Sequence, residues 1–123
     1  MPGLTLDTGA MIALERRDRR TLRFVHEAQQ RGYDVTVPTV VLAEWWCGQR
    51  GLVKLLDSMV IEPVSRRVAE LAGEACITRH HGTVDAIVMA SAVQRGDVVL
   101  TSDFDDLERL RAHFRAVPRV LRV

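Results

Sequence analysis

The sequence holds a single lysine, Lys54, two cysteines and no apolar run of bilayer-spanning length. Each shortage removes a class of function. A membrane-spanning helix needs about 20 consecutive apolar residues, and Met1-Pro2-Gly3-Leu4 lacks the basic segment leading into an apolar one that marks a secretory signal, so the chain is read as cytoplasmic. Cys47 and Cys76 are far apart, form no C-x-x-C pair and have no ordered histidine partners. Neither zinc nor a disulfide framework is indicated, and two buried thiols are expected. Repeats, low-complexity tracts and linkers are also missing. Seventeen basic residues against sixteen acidic ones leave a net charge of +1, which does not announce a polyanionic partner. With one lysine among the seventeen, sixteen are arginines. Arginine is the better bidentate phosphate ligand, although a GC-rich coding bias gives the same excess.

What is present is an ordinary folded composition, 47% apolar and 27% charged over 123 residues. That length suits one domain able to bury about two-thirds of its unfolded surface. Short β-branched runs alternate with longer amphipathic stretches, the pattern of an α/β domain with a mainly parallel sheet. Strands are predicted at residues 3–6, 34–37, 59–61 and 98–101, with an edge strand at Val120-Leu121. Helices are predicted from Asp7-Thr8-Gly9 through Leu14, over 19–30, over 40–47 with Thr39 as N-cap and Gly48 as stop, and weakly over 52–56. Beyond Ser65, the residues Val68, Leu71, Ala72, Ala75 and Cys76 form a core-facing stripe at helical spacing. Thr83 is expected to cap a helix over 84–94 closed by Gly96, and Phe104, Leu107, Leu110 and Phe114 mark a last amphipathic helix.

The acids are informative by position. Asp7 directly follows the first strand, and Asp103 follows the 98–101 strand by one residue. In parallel sheets, ligand sites form beyond the carboxyl ends of strands where the connections diverge. Asp85 lies in the first turn of its helix, where the helix dipole favours a carboxylate by roughly 0.3–1 kcal/mol. Glu44 stands inside Val40-Val41-Leu42-Ala43-Glu44-Trp45-Trp46, a helix apolar nearly all round, so it is expected to be buried and to need a partner. Capping explains Asp7, Asp85 or Asp103 taken singly, but not the fall of all four acids at one sheet edge. Carboxylates within about 5 Å repel by several kcal/mol per pair at an effective dielectric near 20, so such a cluster needs cations or shifted protonation. All-oxygen ligands suit Mg²⁺ or Mn²⁺, and the matching chemistry is phosphodiester hydrolysis by metal-activated water.

Four segments, in order, resemble the motifs of PIN-domain nucleases. They are Leu6-Asp7-Thr8-Gly9-Ala10, Val41-Leu42-Ala43-Glu44, Val84-Asp85-Ala86-Ile87-Val88-Met89-Ala90 and Leu100-Thr101-Ser102-Asp103-Phe104-Asp105-Asp106-Leu107. The resemblance spans nearly the whole chain and is closest to VapC toxins of bacterial toxin-antitoxin pairs. It implies a single α/β domain over 1–123 with a five-stranded parallel sheet between helices, and an Mg²⁺- or Mn²⁺-dependent endoribonuclease. It further implies an RNA substrate, a homodimer and neutralisation by a small VapB-type antitoxin. Asp7, Glu44, Asp85 and Asp103 match the acidic positions residue by residue. Asp106 matches a less constant one, that of an outer ligand, while Asp105 is left to solvent.

Other readings compete. Asp7-Thr8-Gly9-Ala10 also spells the short signature of aspartic proteases, which are all-β and would leave Glu44 and Asp85 unexplained. A phosphorelay receiver domain has this length, but needs an aspartate ending its third strand and a lysine ending its fifth. A catalytically inactive PIN-like interaction module is the remaining rival, set against the presence of all four acids. Thr8 and Ser102 suit ligand binding, capping or turn roles alike. His80-His81 reads as a loop, one of Trp45 and Trp46 must point away from the core, and Arg16-Arg17-Asp18-Arg19-Arg20 is a candidate phosphate-binding loop.

Overall fold

The computed structural model describes residues 3–79, 82–114 and 119–123, with side chains at all of these except 50, 78 and 79. His80-His81 lies outside them. The elements run β1 (Leu4–Leu6), α1 (Thr8–Glu15), α2 (Arg19–Gln30), β2 (Val35–Pro38), α3 (Thr39–Trp45), a 3₁₀ turn (Arg50–Leu52), α4 (Val53–Asp57) and β3 (Val60–Glu62). Then follow α5 (Arg66–Arg79), α6 (Thr83–Arg95), β4 (Val98–Thr101), α7 (Phe104–Leu110) and β5 (Val120–Arg122).

The five strands form one sheet in the order β3-β2-β1-β4-β5, every pairing parallel, as the alternation of strand and helix predicts. Every residue of β1, β2 and β4 is buried, as central parallel strands covered on both faces must be. The chain leaves β1 toward β2 and β3, then returns to the other side of β1 as β4. The carboxyl ends of β1 and β4 therefore flank the point where the connections diverge. Helix α6 carries the core's densest stretch, with residues 86–92 all buried, and it packs along α5. It closes on Gly96, whose φ of 70° is a left-handed conformation that costs glycine nothing.

Several boundaries differ from expectation for local reasons. Thr39 and Thr83 are the first helical residues, not caps; Pro38 and Gly82 hold the cap positions without a side-chain bond. Helix α3 ends at Trp45 rather than at residue 47, which leaves Cys47 exposed. Cys76 is half-buried, so the expectation of two buried thiols fails. The last helix stops at Leu110, but Phe114 still reaches the core, 4% exposed, through the turn that follows. Ser65 does cap α5, its Oγ accepting from the Val68 N–H at 3.1 Å.

One buried acid serves the fold alone. Asp97, 4% exposed and just before β4, accepts from Thr5 Oγ1 at 2.8 Å and from Arg95 Nε at 2.9 Å. Arg95 Nη2 also donates to Thr5 Oγ1 at 2.9 Å and to Ser91 Oγ at 3.0 Å. Every member has a partner, as a buried pair requires. Asp97 and the acids discussed next thus have different reasons to be where they are.

Candidate active site

Asp7 is the structural centre of the site. It leaves β1 as the N-cap of α1, and only 3% of its surface is exposed. Its Oδ1 accepts from the Ala10 N–H at 2.8 Å, and its Oδ2 accepts from the Thr101 hydroxyl at the end of β4. Thr101 Oγ1 in turn accepts from the Asp103 N–H at 2.8 Å. One hydroxyl therefore ties the ends of β1 and β4 together and sets Asp103 beside Asp7. Burial pushes the Asp7 carboxyl up to about 6; the bonds from Thr101 and Ala10 oppose that rise, and the charges of Asp103 and Asp85 add to it.

The other predicted residues take graded positions. Asp103 is exposed at the start of α7, and Asp85 is half-buried in the first turn of α6. Glu44 corrects an expectation: it is exposed, not buried. The seven-residue α3 buries only Val41 and Trp45, one turn apart, so a mostly apolar sequence still presents a solvent side. Glu44 is nonetheless joined to the site, because Thr8, next to Asp7, donates to its Oε1 at 2.6 Å. Asp106 is exposed and accepts from Arg109 Nη1 at 3.2 Å on its own helix. Trp45 is buried and Trp46 is 40% exposed, so one of the pair does face outward.

Two open clefts share Ser102, the residue before Asp103. One, about 500 Å³, is lined by Gly9, Ile12, Ala13, Arg16, Asp18, Ser102 and Val123; the other, about 270 Å³, runs from Ser102 and Asp103 to Arg109 and Arg122. Arg16 lines the larger cleft, while Asp18 caps α2 through the Thr21 N–H at 2.9 Å. Gly9 allows the close approach of α1 to the β4–α7 loop. A Cβ there would lie 1.8 Å from Ser102 Oγ and 2.8 Å from Ser102 Cβ. Sequence reasoning missed Thr101; its signal was a β-branched hydroxyl at a strand end, two residues before Asp103.

Among the described residues, no three His, Cys, Asp or Glu side chains are gathered closely enough to enclose a metal ion as they stand. The donor set still fits a hard divalent cation. It consists of carboxylate oxygens, one of them buried, and Asp7 feels the charges of Asp85 and Asp103.

The raised Asp7 pKa has a measurable consequence. The folded chain keeps this proton to about pH 6, whereas the ordinary value is 3.8. Between those values the folded state binds more protons than the unfolded state, so metal-free stability falls as pH rises across that window, by roughly 3 kcal/mol. Urea denaturation with a chelator present should show this fall in the wild type and lose it in Asp7→Asn, which should be the more stable protein at pH 7. Parallel pH profiles for the two would contradict the assignment.

The receiver reading fails here, since β3 ends in Glu62 and Lys54 lies on α4. The protease reading fails on the parallel sheet between helices. A comparison with curated proteins found no sequence match. Solved structures do resemble the chain in fold. A VapBC2 complex from Rickettsia felis, bound to promoter DNA, matches with a TM-score of 0.71 at 15% identity, over 86% of this chain and 91% of that one. A toxin-antitoxin complex from Klebsiella pneumoniae matches with 0.71 at 17%, over 97% and 96%. DNA-bound VapBC from Salmonella typhimurium matches with 0.71 at 15%, over 99% and 98%. The sequence model of the PIN domain matches residues 4–112, and with most of its length so matched the chain belongs to the PIN domain family.

Proposed function

We propose that this chain is an Mg²⁺- or Mn²⁺-dependent endoribonuclease, the toxin of a VapBC-type pair, with Asp7, Glu44, Asp85 and Asp103 as its metal-binding carboxylates. The observation that carries this is the buried Asp7, pinned by Thr101 where the connections leaving β1 and β4 diverge and acted on by the charges of Asp85 and Asp103. These carboxylates would hold a divalent ion, which when bound would supply an activated water and neutralise charge on the phosphate. The chain's residues do the positioning. Thr101 and the Ala10 N–H fix both oxygens of Asp7, so its carboxylate keeps one orientation. Thr8 draws Glu44 in from its exposed helix. Asp103 opens onto the polar cleft, where a phosphate can approach. Asp106 serves as an outer ligand on turning from Arg109.

The partner reading is supported by the structural neighbours, which are toxin-antitoxin complexes. A small antitoxin would cover the apolar surface that Trp46 offers next to Glu44 and place a basic side chain among the acids. A homodimer acting in the cytoplasm completes this reading. No helix among the described residues is long and apolar enough to cross a membrane. Induced expression in a bacterium should arrest growth, the arrest should require Asp7, and co-expression of the neighbouring small reading frame should relieve it. Equal arrest by wild type and Asp7→Asn would separate toxicity from this site, and no arrest would favour a housekeeping nuclease.

A further inference from the structure

We propose that Arg122 binds a backbone phosphate of the substrate strand beside the acid cluster; this rests on the nuclease reading and names the residue that would hold the strand in place. Arg122 is built into the site through the sheet. Strand β5 pairs with β4 so that Arg122 stands opposite Thr101, the residue that holds Asp7, and the next residue closes the pairing with a 2.9 Å bond from the Val123 N–H to the Thr101 carbonyl. The guanidinium carbon lies over the Phe104 ring, 5.0 Å from its centroid. A guanidinium carries five N–H donors in a fixed fork, so beside the ring contact it can still offer a phosphate two of them at once.

The guanidinium's acidic neighbour is a weak competitor. Arg122 Nη2 lies 3.6 Å from Asp105 Oδ1, and the two side chains are 60% and 77% exposed. Such a long, solvated pair holds its members loosely. Arg109 lines the same cleft and pairs with Asp106 of its own helix at 3.2 Å, but no aromatic ring among the described residues orients its guanidinium. Arg122 is thus the cation oriented by an aromatic ring, in a polar cleft of about 270 Å³ that it shares with Ser102 and Asp103. That cleft meets the larger one at Ser102. A strand with one phosphate on Arg122 would pass Asp103 and continue along the larger cleft, which Ile12 and Ala13 help to line.

The test uses the full chain and a short, fluorescein-labelled single-stranded RNA of mixed sequence, read by anisotropy without metal and by cleavage with Mn²⁺. Arg122→Gln should weaken binding about tenfold, lower the slope of log affinity against log salt by about one, and raise KM rather than lower kcat. Arg122→Lys should restore the salt slope while recovering only part of the affinity, because the charge returns without the fork. Arg66→Gln, on the exposed start of α5, should change neither. If wild type and Arg122→Gln bind the RNA equally, the proposal is overturned. A lower melting temperature with an unchanged salt slope also overturns it, since stacking on Phe104 alone predicts that result. Binding lost in Arg122→Gln while the wild type binds but does not cleave would refute the nuclease reading and leave Arg122 as a phosphate ligand.

Discussion

Asp7→Asn, Glu44→Gln and Asp103→Asn should each lower RNA cleavage by at least about a thousandfold while the chain stays folded. Each replacement keeps the shape of the side chain and removes one negative charge from a group that works as a unit, and losses within such a unit are large and non-additive. Combining two of them should therefore cost little more than one. The three acids arrive by different routes: Asp7 is buried and held by Thr101, Asp103 is exposed beside it, and Glu44 is tied in through Thr8 at 2.6 Å. Glu44→Gln is the most demanding case, because its exposure offers no structural reason for a large effect. Asp105→Asn should keep most activity, its carboxylate being 77% exposed and engaged only with Arg122 among the described residues. Gel-based cleavage assays with circular dichroism of each variant decide the matter. Survival of cleavage in two of the first three variants would place the chemistry elsewhere, and an inactive wild type would favour the interaction-module reading.

The positions of Asp7 and Asp103 were legible because they depend on strand ends, which β-branched runs mark clearly. The parallel sheet followed from the alternation of elements, and the divergence of connections beside β1 followed from the sheet. Burial was less legible. Glu44 looked interior because its neighbours are apolar, yet a two-turn helix at the surface buries one stripe whatever its other faces carry. Cys47 was misplaced for a different reason, since the helix expected to reach it ends two residues earlier. Thr101 was invisible as a site residue because its role depends on the register that sets the end of β4 beside the end of β1, Leu100 opposite Leu6. Gly9 likewise read only as part of the start of the first helix, although what requires it is Ser102 from a distant segment. Chain order shows what a residue is and where its element ends; only the fold shows what faces it.

Millimolar Mn²⁺ or Mg²⁺ should stabilise the wild type in proportion to site occupancy. An ion at about one hundred times its dissociation constant contributes about 2.7 kcal/mol, a rise of several degrees in Tm for a domain of this size. The rise follows from relief of the repulsion that Asp103 and Asp85 impose on Asp7. Asp85→Asn should lose most of this response.

The account stands most directly on whether these carboxylates hold a divalent ion between them. Titration of the purified chain with Mn²⁺, followed by the loss of the free-ion electron paramagnetic resonance signal, reads this without relying on activity or toxicity. The expected result is saturable binding in the wild type that is strongly weakened in Asp7→Asn and in Asp103→Asn, and unchanged in Asp97→Asn, whose carboxylate belongs to the Thr5–Arg95 network. Equal Mn²⁺ binding by wild type, Asp7→Asn and Asp103→Asn, or no binding by the wild type, would contradict it.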